Sequence, residues 1–502
     1  MDDTAQPDLF GFLHIDLNSF FASVEQQLHP EHRNKPLGVT ATMADTGTLI
    51  AASYEAKALG IKTGTKVAEA RRLCPHIVLL ASDHSIYADY SHRITTAVDK
   101  VCPVSHNPSI DEMVCQLMGR ERQPPNARRI ALDIKQSIRD NVGETLRCSI
   151  GMAPNRYLAK IASDMQKPDG LIGLLPSQLP RAIAHLELRD LPGVGARTEQ
   201  RLNTKGITTM PQLLALDRNG MHKLWDSVWG DRLYHWLRGH DTGDDGAPVP
   251  SEIQKSLGHS HVLAPEHRTP AGAWAVAHKL LHKAAMRLRM EHFYTASMAV
   301  TIRYSLTRDQ VDDLQEIDVP SSMHLGAPSS PTASSSAKVG SQDFSFTYDV
   351  SSRPERSAVE RPASASAHAG PQPNKRPKIK KHSSGITQTG WGMEARFAAC
   401  QDTLSLLQAL QGCWKHAPNA PEHQRPFFVG VTLTRLIPES EYQAPLFEDP
   451  GNRKELSTTM DKLNLKYGHS TLHFAGMLPA RDSAPTRIAF TQIPVQYGNE
   501  WM

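Results

Sequence analysis

Long apolar runs are missing from this 502-residue chain. Nothing approaches the roughly 18 consecutive apolar residues of a membrane-spanning helix, so no membrane span is expected. Cysteine is scarce. Cys74, Cys102, Cys115, Cys148, Cys400 and Cys413 contain no CxxC pair. They read as reduced core residues of an intracellular protein, not as zinc ligands or disulfides. Excess charge is also lacking, with 55 Lys and Arg against 52 Asp and Glu. Any nucleic-acid surface must therefore be local. The opening MDDTAQPDLF is acidic and has no apolar signal region, which predicts no export. What is present is 39% hydrophobic residues in a chain with room for about three domains.

The organising stretch is Pro108-Ser109-Ile110-Asp111-Glu112-Met113, where two acids stand side by side before the apolar Met113-Val114-Cys115. Adjacent carboxylates repel, and burying both without a cation costs on the order of several kcal/mol. In isolation, a surface Asp-Glu pair at a strand end is the simplest reading. A second apolar run, Phe12-Leu13-His14-Ile15-Asp16, also ends in an acid. Two strands that bring carboxylates to one place make a site for a hard divalent cation.

Hydrophobic spacing predicts a strand over Leu13 to Asp16 and then a helix from Asn18 that carries Phe20, Phe21, Val24 and Leu28. Leu49 to Gly60 reads as a short strand running into a short helix, and Val67 to Leu73 as a helix before Pro75. Tyr87 to Val101 is expected to be helical, and the two acids to lie on a strand reaching about Leu117. A helix over Ala127 to Asn141, a strand over Leu146 to Met152 and a helix over Asn155 to Met165 follow, closed by Lys167-Pro168-Asp169-Gly170. Strand-helix-strand-strand-helix-strand is the ferredoxin-like order, an antiparallel sheet backed by helices.

Short helices are expected from Leu188 to Leu216. The turn Leu191-Pro192-Gly193-Val194-Gly195 lies between two of them. Glycines there let backbone N–H groups approach a phosphate, although a plain connection between helices has the same pattern. From Ser251 a second α+β unit is predicted. Its strands lie near Lys255 to Leu263, Ala296 to Tyr304, Trp391 to Phe397 and Phe427 to Leu436, and its helices at Ala271 to Met290 and Ala399 to Trp414. Between its halves, Asp318 to about Thr387 is rich in Ser, Pro and Ala and reads as a disordered insertion. Its basic cluster Lys375-Arg376-Pro377-Lys378-Ile379-Lys380-Lys381 is readable as solvated linker charge, a nuclear address or a nucleic-acid contact.

These residues resemble the Y-family translesion DNA polymerases, particularly the bacterial DNA polymerase IV and V branches. The resemblance rests on Asp16-Leu17-Asn18-Ser19-Phe20-Phe21-Ala22-Ser23-Val24-Glu25, Ser53-Tyr54-Glu55-Ala56-Lys57, Ser109-Ile110-Asp111-Glu112 and Ala159-Lys160-Ile161-Ala162-Ser163-Asp164-Met165-Gln166-Lys167-Pro168, in the family's order. It implies an α+β right-hand polymerase. The palm would be ferredoxin-like (1–30 and 80–174), with small fingers (31–79), a helix-hairpin-helix thumb (175–245) and an α+β little finger (250–317 and 388–438). The insertion would occupy 318–387, and a clamp-binding peptide and tail 439–502.

The resemblance also implies roles. Asp16 and Asp111 would bridge two Mg²⁺ ions, Glu112 would hold the one at the primer 3′-hydroxyl, and the Leu17 carbonyl the one beside the triphosphate. Phe21 would be the steric gate against a ribose 2′-hydroxyl, with Phe20 beside it as a nucleotide contact or plain helix core. Tyr54, Lys57 and Lys167 would bind the nucleotide. Lys57 stands where the polymerase IV branch commonly has Arg, a point charge in place of a bidentate fork. Gly193, Gly195, Lys279, Lys283, Arg287 and Arg289 are the candidate DNA contacts. Gln443-Ala444-Pro445-Leu446-Phe447 resembles a sliding-clamp-binding peptide, with Gln443, Leu446 and Phe447 as anchors, or is a loop with a buried Leu-Phe pair. The implied partners are primed template DNA, deoxynucleoside triphosphates and the clamp, for a monomer in the cytoplasm, nucleoid-associated, or in the nucleus of a eukaryote. The competing reading is a non-catalytic clamp-bound scaffold, a branch that lacks the metal carboxylates.

Overall fold

The computed structural model describes residues 7–45, 47–243, 256–305, 379–381, 387–417, 425–444, 452–468, 471–481, 496–497 and 500–501. Strand β1 (Phe12–Leu17) is buried at every position and runs through the middle of a five-stranded sheet. It leads into helix α1 (Phe20–Leu28) and a small separate sheet, β2 (Leu37–Thr40), β3 (Leu49–Ala52) and β4 (Val78–Ala81), in the order β3-β2-β4. Helices α2 (Tyr54–Ala58) and α3 (Val67–Leu73) connect β3 to β4. The chain then returns through α4 (His84–Asp99), β5 (Val104–Ser109), β6 (Glu112–Gln116), α5 (Pro124–Asn141), β7 (Cys148–Ala153), α6 (Arg156–Met165) and β8 (Leu171–Gly173).

The main sheet has the order β5-β6-β1-β7-β8. Its first four strands have the ferredoxin-like arrangement expected from the sequence. β8 is an addition that pairs parallel to β7, so the sheet is mixed and not wholly antiparallel. The sequence reading also missed β5. Val104-Ser-His-Asn-Pro-Ser is polar and contains Pro108, which removes the alternation that marks a strand. An edge position tolerates that proline because no second neighbour needs its missing N–H. Asp111 consequently sits in the hairpin turn, not on a strand, and Glu112 is the first residue of β6.

Strand alternation gives the sheet two different faces. Leu13, Ile15 and Leu17 join Met113, Cys115, Ile150 and Met152 under α4 and α5, which bury Ile94, Ile134 and Ile138 there. Phe12, Val114 and Ala153 face the other way, against Leu158, Ile161 and Ala162 of α6. His14 and Asp16 share that second face. Gly151 permits α6 to come so close, since a Cβ there would lie 2.0 Å from the Ala159 carbonyl oxygen and 2.4 Å from the Ser163 nitrogen.

The apolar cluster beneath α6 continues into four helices, α7 (Ala196–Thr204), α8 (Met210–Leu214), α9 (Arg218–Trp225) and α10 (Val228–Trp236). Tyr157 stacks on Trp236 and donates its hydroxyl to the Pro192 carbonyl at 3.0 Å. Asn155 donates to the Trp236 carbonyl at 2.9 Å.

The last unit is built from β9 (Ser256–Val262), α11 (Pro270–Met290), β10 (Phe293–Ser305), β11 (Ile379–Lys381), β12 (Thr387–Cys400), α12 (Thr403–Trp414) and β13 (Arg425–Pro438). Its sheet order is β11-β12-β10-β13-β9, with α11 and α12 over one core. The expected insertion lies mostly outside the described residues. Its end is corrected, because Ile379–Lys381 pairs with Thr387–Thr389 and so belongs to the sheet. Helix α13 (Arg453–Tyr467) and a two-strand ribbon, β14 (Gln496–Tyr497) and β15 (Glu500–Trp501), complete the described chain. All six cysteines are free, five buried and Cys400 half-buried. Among the described residues no helix is long and apolar enough to cross a membrane.

Gly151→Ala should cost about 2–3 kcal/mol of stability by forcing α6 off the sheet. Denaturant unfolding measures this, and a wild-type midpoint would show that the helix has room to move.

Candidate active site

Antiparallel pairing of β1 with β6 sets Asp16 directly across from Glu112, while on its other side Asp16 faces Ser149 of β7. Asp111 is brought up by the hairpin turn. Its carbonyl accepts from the Leu17 N–H at 2.9 Å, and the neighbouring Ile110 carbonyl accepts from Ser91 of α4 at 2.6 Å. The Ser109 hydroxyl lies 2.6 Å from Asp111 and 3.0 Å from Glu112, so its one proton is shared between the two acids. The three carboxylates predicted to act together are thus gathered at one end of the sheet.

Two lysines meet them. Lys160 on α6 reaches Asp16 Oδ2 and Glu112 Oε1, each at 2.6 Å, and lies 3.2 Å from Asp164 one helical turn on. Lys167 reaches Asp16 Oδ1 at 2.6 Å and Asp164 at 2.8 Å. The loop that carries Lys167 is anchored: the Asp169 N–H donates to Asn18 at 2.7 Å, and Asp169 pairs with Lys135 at 2.8 Å. Asn18 is tied in turn to Ser149 at 3.1 Å.

The charges are unequal. Burial would raise the Glu112 carboxyl, but His14 beside it and the Lys160 ammonium hold it well below the usual carboxylate range. Burial pushes the Asp111 carboxyl up, and the charges of Glu112 and Asp16 add to that push. Among the described residues no cationic side chain pairs with Asp111. Although burial works against their charged forms, Lys160 and Lys167 are both shifted upward, Asp16 being the leading counter-charge for each.

This donor set fits a hard divalent cation. An ammonium already bridges Asp16 and Glu112, and among the described residues one carboxylate, Asp111, still lacks a cationic partner. Ligand atoms of His14, Asp16 and Glu112 also lie within 4.8 Å of one another.

Beside the acids opens a pocket of about 240 Å³, lined by Asp16, Leu17, Phe20, Phe21, Tyr54, Lys57, Asp111 and Lys167 among others. One wall comes from α1, another from α2 of the small sheet. Phe21 stacks on Tyr87 at a centroid distance of 4.1 Å and 12°, and Tyr87 donates to the buried Glu25 at 2.5 Å. Opposite, the Lys57 ammonium lies 4.4 Å above the Tyr54 ring. Burial raises the Tyr54 phenol and lowers the Lys57 ammonium, which the Lys167 charge lowers further.

The other candidates lie elsewhere. Gly193 takes φ +85°, and Gly195 is the N-cap of α7, where no side chain caps the first turn. Lys279 and Arg289 are corrections to the DNA-contact set. Lys279 is buried and donates to the Arg481 carbonyl at 2.5 Å. Arg289 makes a forked pair with Asp461 at 2.6 and 2.9 Å and donates to the Gln401 carbonyl at 2.6 Å. A helix packed on two sides turns these stems inward to satisfy a neighbouring arm, so neither is offered to a phosphate. Lys283 and Arg287 lie toward His259 of β9, and Arg287 pairs with Glu291 at 2.6 Å. Gln443 is exposed, whereas Leu446 and Phe447 fall outside the described residues.

Sequence reading missed Lys160, Asp164, Ser109 and His14 as members of the site. A usable signal existed for two of them: Lys160 and Asp164 stand at i and i+4 on a helix that ends beside Lys167.

Residues 15–164 match the impB/mucB/samB family, residues 189–241 the DNA polymerase-iota thumb domain, and residues 254–340 the impB/mucB/samB family C-terminal domain. DNA polymerase IV of Moorella thermoacetica is 36% identical over 295 residues, covering 58% of this chain and 73% of that protein. DNA polymerase IV 1 of Bacillus subtilis is 33% identical over 298 residues, covering 58% and 70%. A solved Y-family DNA polymerase chimera shares the fold with a TM-score of 0.59 at 20% identity, over 85% of this chain and 99% of that one.

Proposed function

This chain belongs to the Y-family of DNA polymerases, and from that membership we propose how its residues carry out template-directed synthesis past damaged bases. It is a DNA-directed DNA polymerase of translesion synthesis. The observation that carries the mechanistic reading is the convergence of Asp16, Asp111 and Glu112 at the mouth of the pocket. A scaffold without catalysis has no use for three gathered carboxylates.

In nucleotidyl transfer the primer 3′-oxygen attacks the α-phosphorus of a deoxynucleoside triphosphate. A new P–O bond forms, the bond to pyrophosphate breaks, and the hydroxyl proton passes to solvent. Bound Mg²⁺, two ions per site, would neutralise phosphate charge and lower the pKa of the 3′-hydroxyl. Asp16 and Asp111 would help to hold both ions, Glu112 the one that activates the primer hydroxyl, and the Leu17 carbonyl the one beside the triphosphate. Ser109 orients two of these acids at once.

Tyr54 and Lys167 bind triphosphate oxygens, one by hydroxyl and one by charge, with Lys57 beside them as a point charge. Phe21 places its ring under the sugar and excludes a 2′-hydroxyl. Its support is the stack on Tyr87, itself held by Glu25. Phe20, buried alongside, completes the floor.

Residues 1–30 and 80–174 act as palm, 31–79 as fingers, 175–245 as thumb, and 250–317 with 388–438 as little finger. The turn at Gly193 and Gly195 and the N-terminus of α7 contact a DNA phosphate. Gln443, Leu446 and Phe447 form the sliding-clamp peptide. The protein works as a monomer in the cytoplasm, on the nucleoid.

Asp111→Ala should abolish Mg²⁺-dependent primer extension while DNA binding survives, and equal extension by mutant and wild type would sink the mechanism. Phe21→Ala should admit ribonucleotides, so the ratio of deoxynucleotide to ribonucleotide kcat/KM should fall by about tenfold or more. Unchanged sugar selectivity refutes the gate. Deleting residues 443–447 should remove stimulation by the sliding clamp and spare basal synthesis, whereas retained stimulation would place the clamp contact elsewhere.

A further inference from the structure

We infer that Lys160 is an internal counter-ion which an incoming divalent cation must displace, and that Asp164 receives its ammonium as it leaves. The inference rests on the metal-site reading given above. The Lys160 Nζ lies 2.6 Å from Asp16 Oδ2 and 2.6 Å from Glu112 Oε1, so one ammonium spans the two carboxylates that face each other across β1 and β6. A divalent cation on the same oxygens sits roughly 2.0–2.5 Å from each. Two cations cannot share that space, and the side chain has to move.

Asp164 supplies the place to which it moves. Its carboxylate stands one turn further along the same helix, with Oδ2 at 3.2 Å and Oδ1 at 3.3 Å from the Lys160 Nζ. Rotation about the lysine stem, with no backbone shift, exchanges Asp16 and Glu112 for Asp164. The lysine precedes the acid by four residues, the less favourable order for a helical pair, so Asp164 accepts the ammonium without trapping it. Asp164 is also the more open group, with its side chain 37% exposed against 10% for Asp16. Lys167 has the same choice, lying 2.6 Å from Asp16 and 2.8 Å from Asp164. Both lysines therefore share an exit on Asp164 when Asp16 turns to a metal.

Two consequences follow for the protein before substrate arrives. The carboxylates stay paired and aligned without metal, and metal affinity is held down because every ion that binds must evict a charge.

The test uses the full chain without DNA and measures manganese binding by titration calorimetry, with thermal unfolding in chelator and in manganese. Lys160→Met keeps the stem and removes the charge. It should bind manganese about tenfold more tightly than wild type, and should melt lower in chelator yet recover when manganese is added. Lys160→Arg, which restores the charge, should lose the gain in affinity. Asp164→Asn should weaken binding several-fold, because the ammonium loses its alternative partner. Asp111→Asn, which leaves Lys160 untouched, reports on the metal site itself. Manganese binding that depends on Asp111 but is not tightened by Lys160→Met overturns the displacement and leaves the metal site standing. Manganese binding indifferent to Asp111 overturns the metal site, and the displacement with it.

Discussion

The register between β1 and β6 is the constraint on which the rest of this protein depends. Asp16 stands opposite Glu112 because Phe12 pairs with Gln116, and a slip of β6 by one residue would turn Glu112 to the face covered by α4 and α5 while Asp16 stayed where it is. The apolar residues on that other face, Leu13, Ile15, Leu17, Met113 and Cys115, are what forbid the slip. Core packing on one side of the sheet thus fixes chemistry on the other. Like charges held this close would push the strands apart, and Lys160 and Lys167 offset that repulsion at the position where it is greatest.

Each component of the pocket is then placed from a different direction. The hairpin turn brings Asp111, held through its carbonyl to Leu17. Helix α1 brings Phe21, and α2 of the small sheet brings Tyr54 and Lys57 across from it. A lysine loop pinned by Asn18 and Lys135 completes the ring. The carboxylates, the aromatic wall and the lysines come from separate elements, so each can be altered with limited effect on the others.

Much of this was legible in the sequence. The four motifs pointed to Asp16, Asp111, Glu112, Phe21, Tyr54, Lys57 and Lys167, and six of these line one pocket while Glu112 stands across from Asp16 on the neighbouring strand. Periodicity located the main helices, because amphipathic patterns such as Ile130, Ile134 and Ile138 persist over several turns. It failed at short or polar strands. β5 contains a proline, while β2 and β4 are four residues each, too brief for alternation to show. It failed also at Lys279 and Arg289, since a basic side chain on a helix reads as solvated until the arm that covers it is known. The acceptors for those two stems, Arg481 and Asp461, lie more than 170 residues away along the chain.

One feature of the fold ties the helical unit to the acid cluster. Helix α6 presents Lys160 to the carboxylates on one flank, while its Leu158 and Ile161 share a single apolar cluster with Leu202, Leu213 and Trp236 of the helical unit. Tyr157 and Asn155, at its start, are bonded to Pro192 and Trp236. That unit is therefore no pendant on a hinge. To swing it away, the protein would have to open the same core that braces α6 over Gly151. A displacement of that helical unit would therefore reach the helix whose lysine balances the clustered acids.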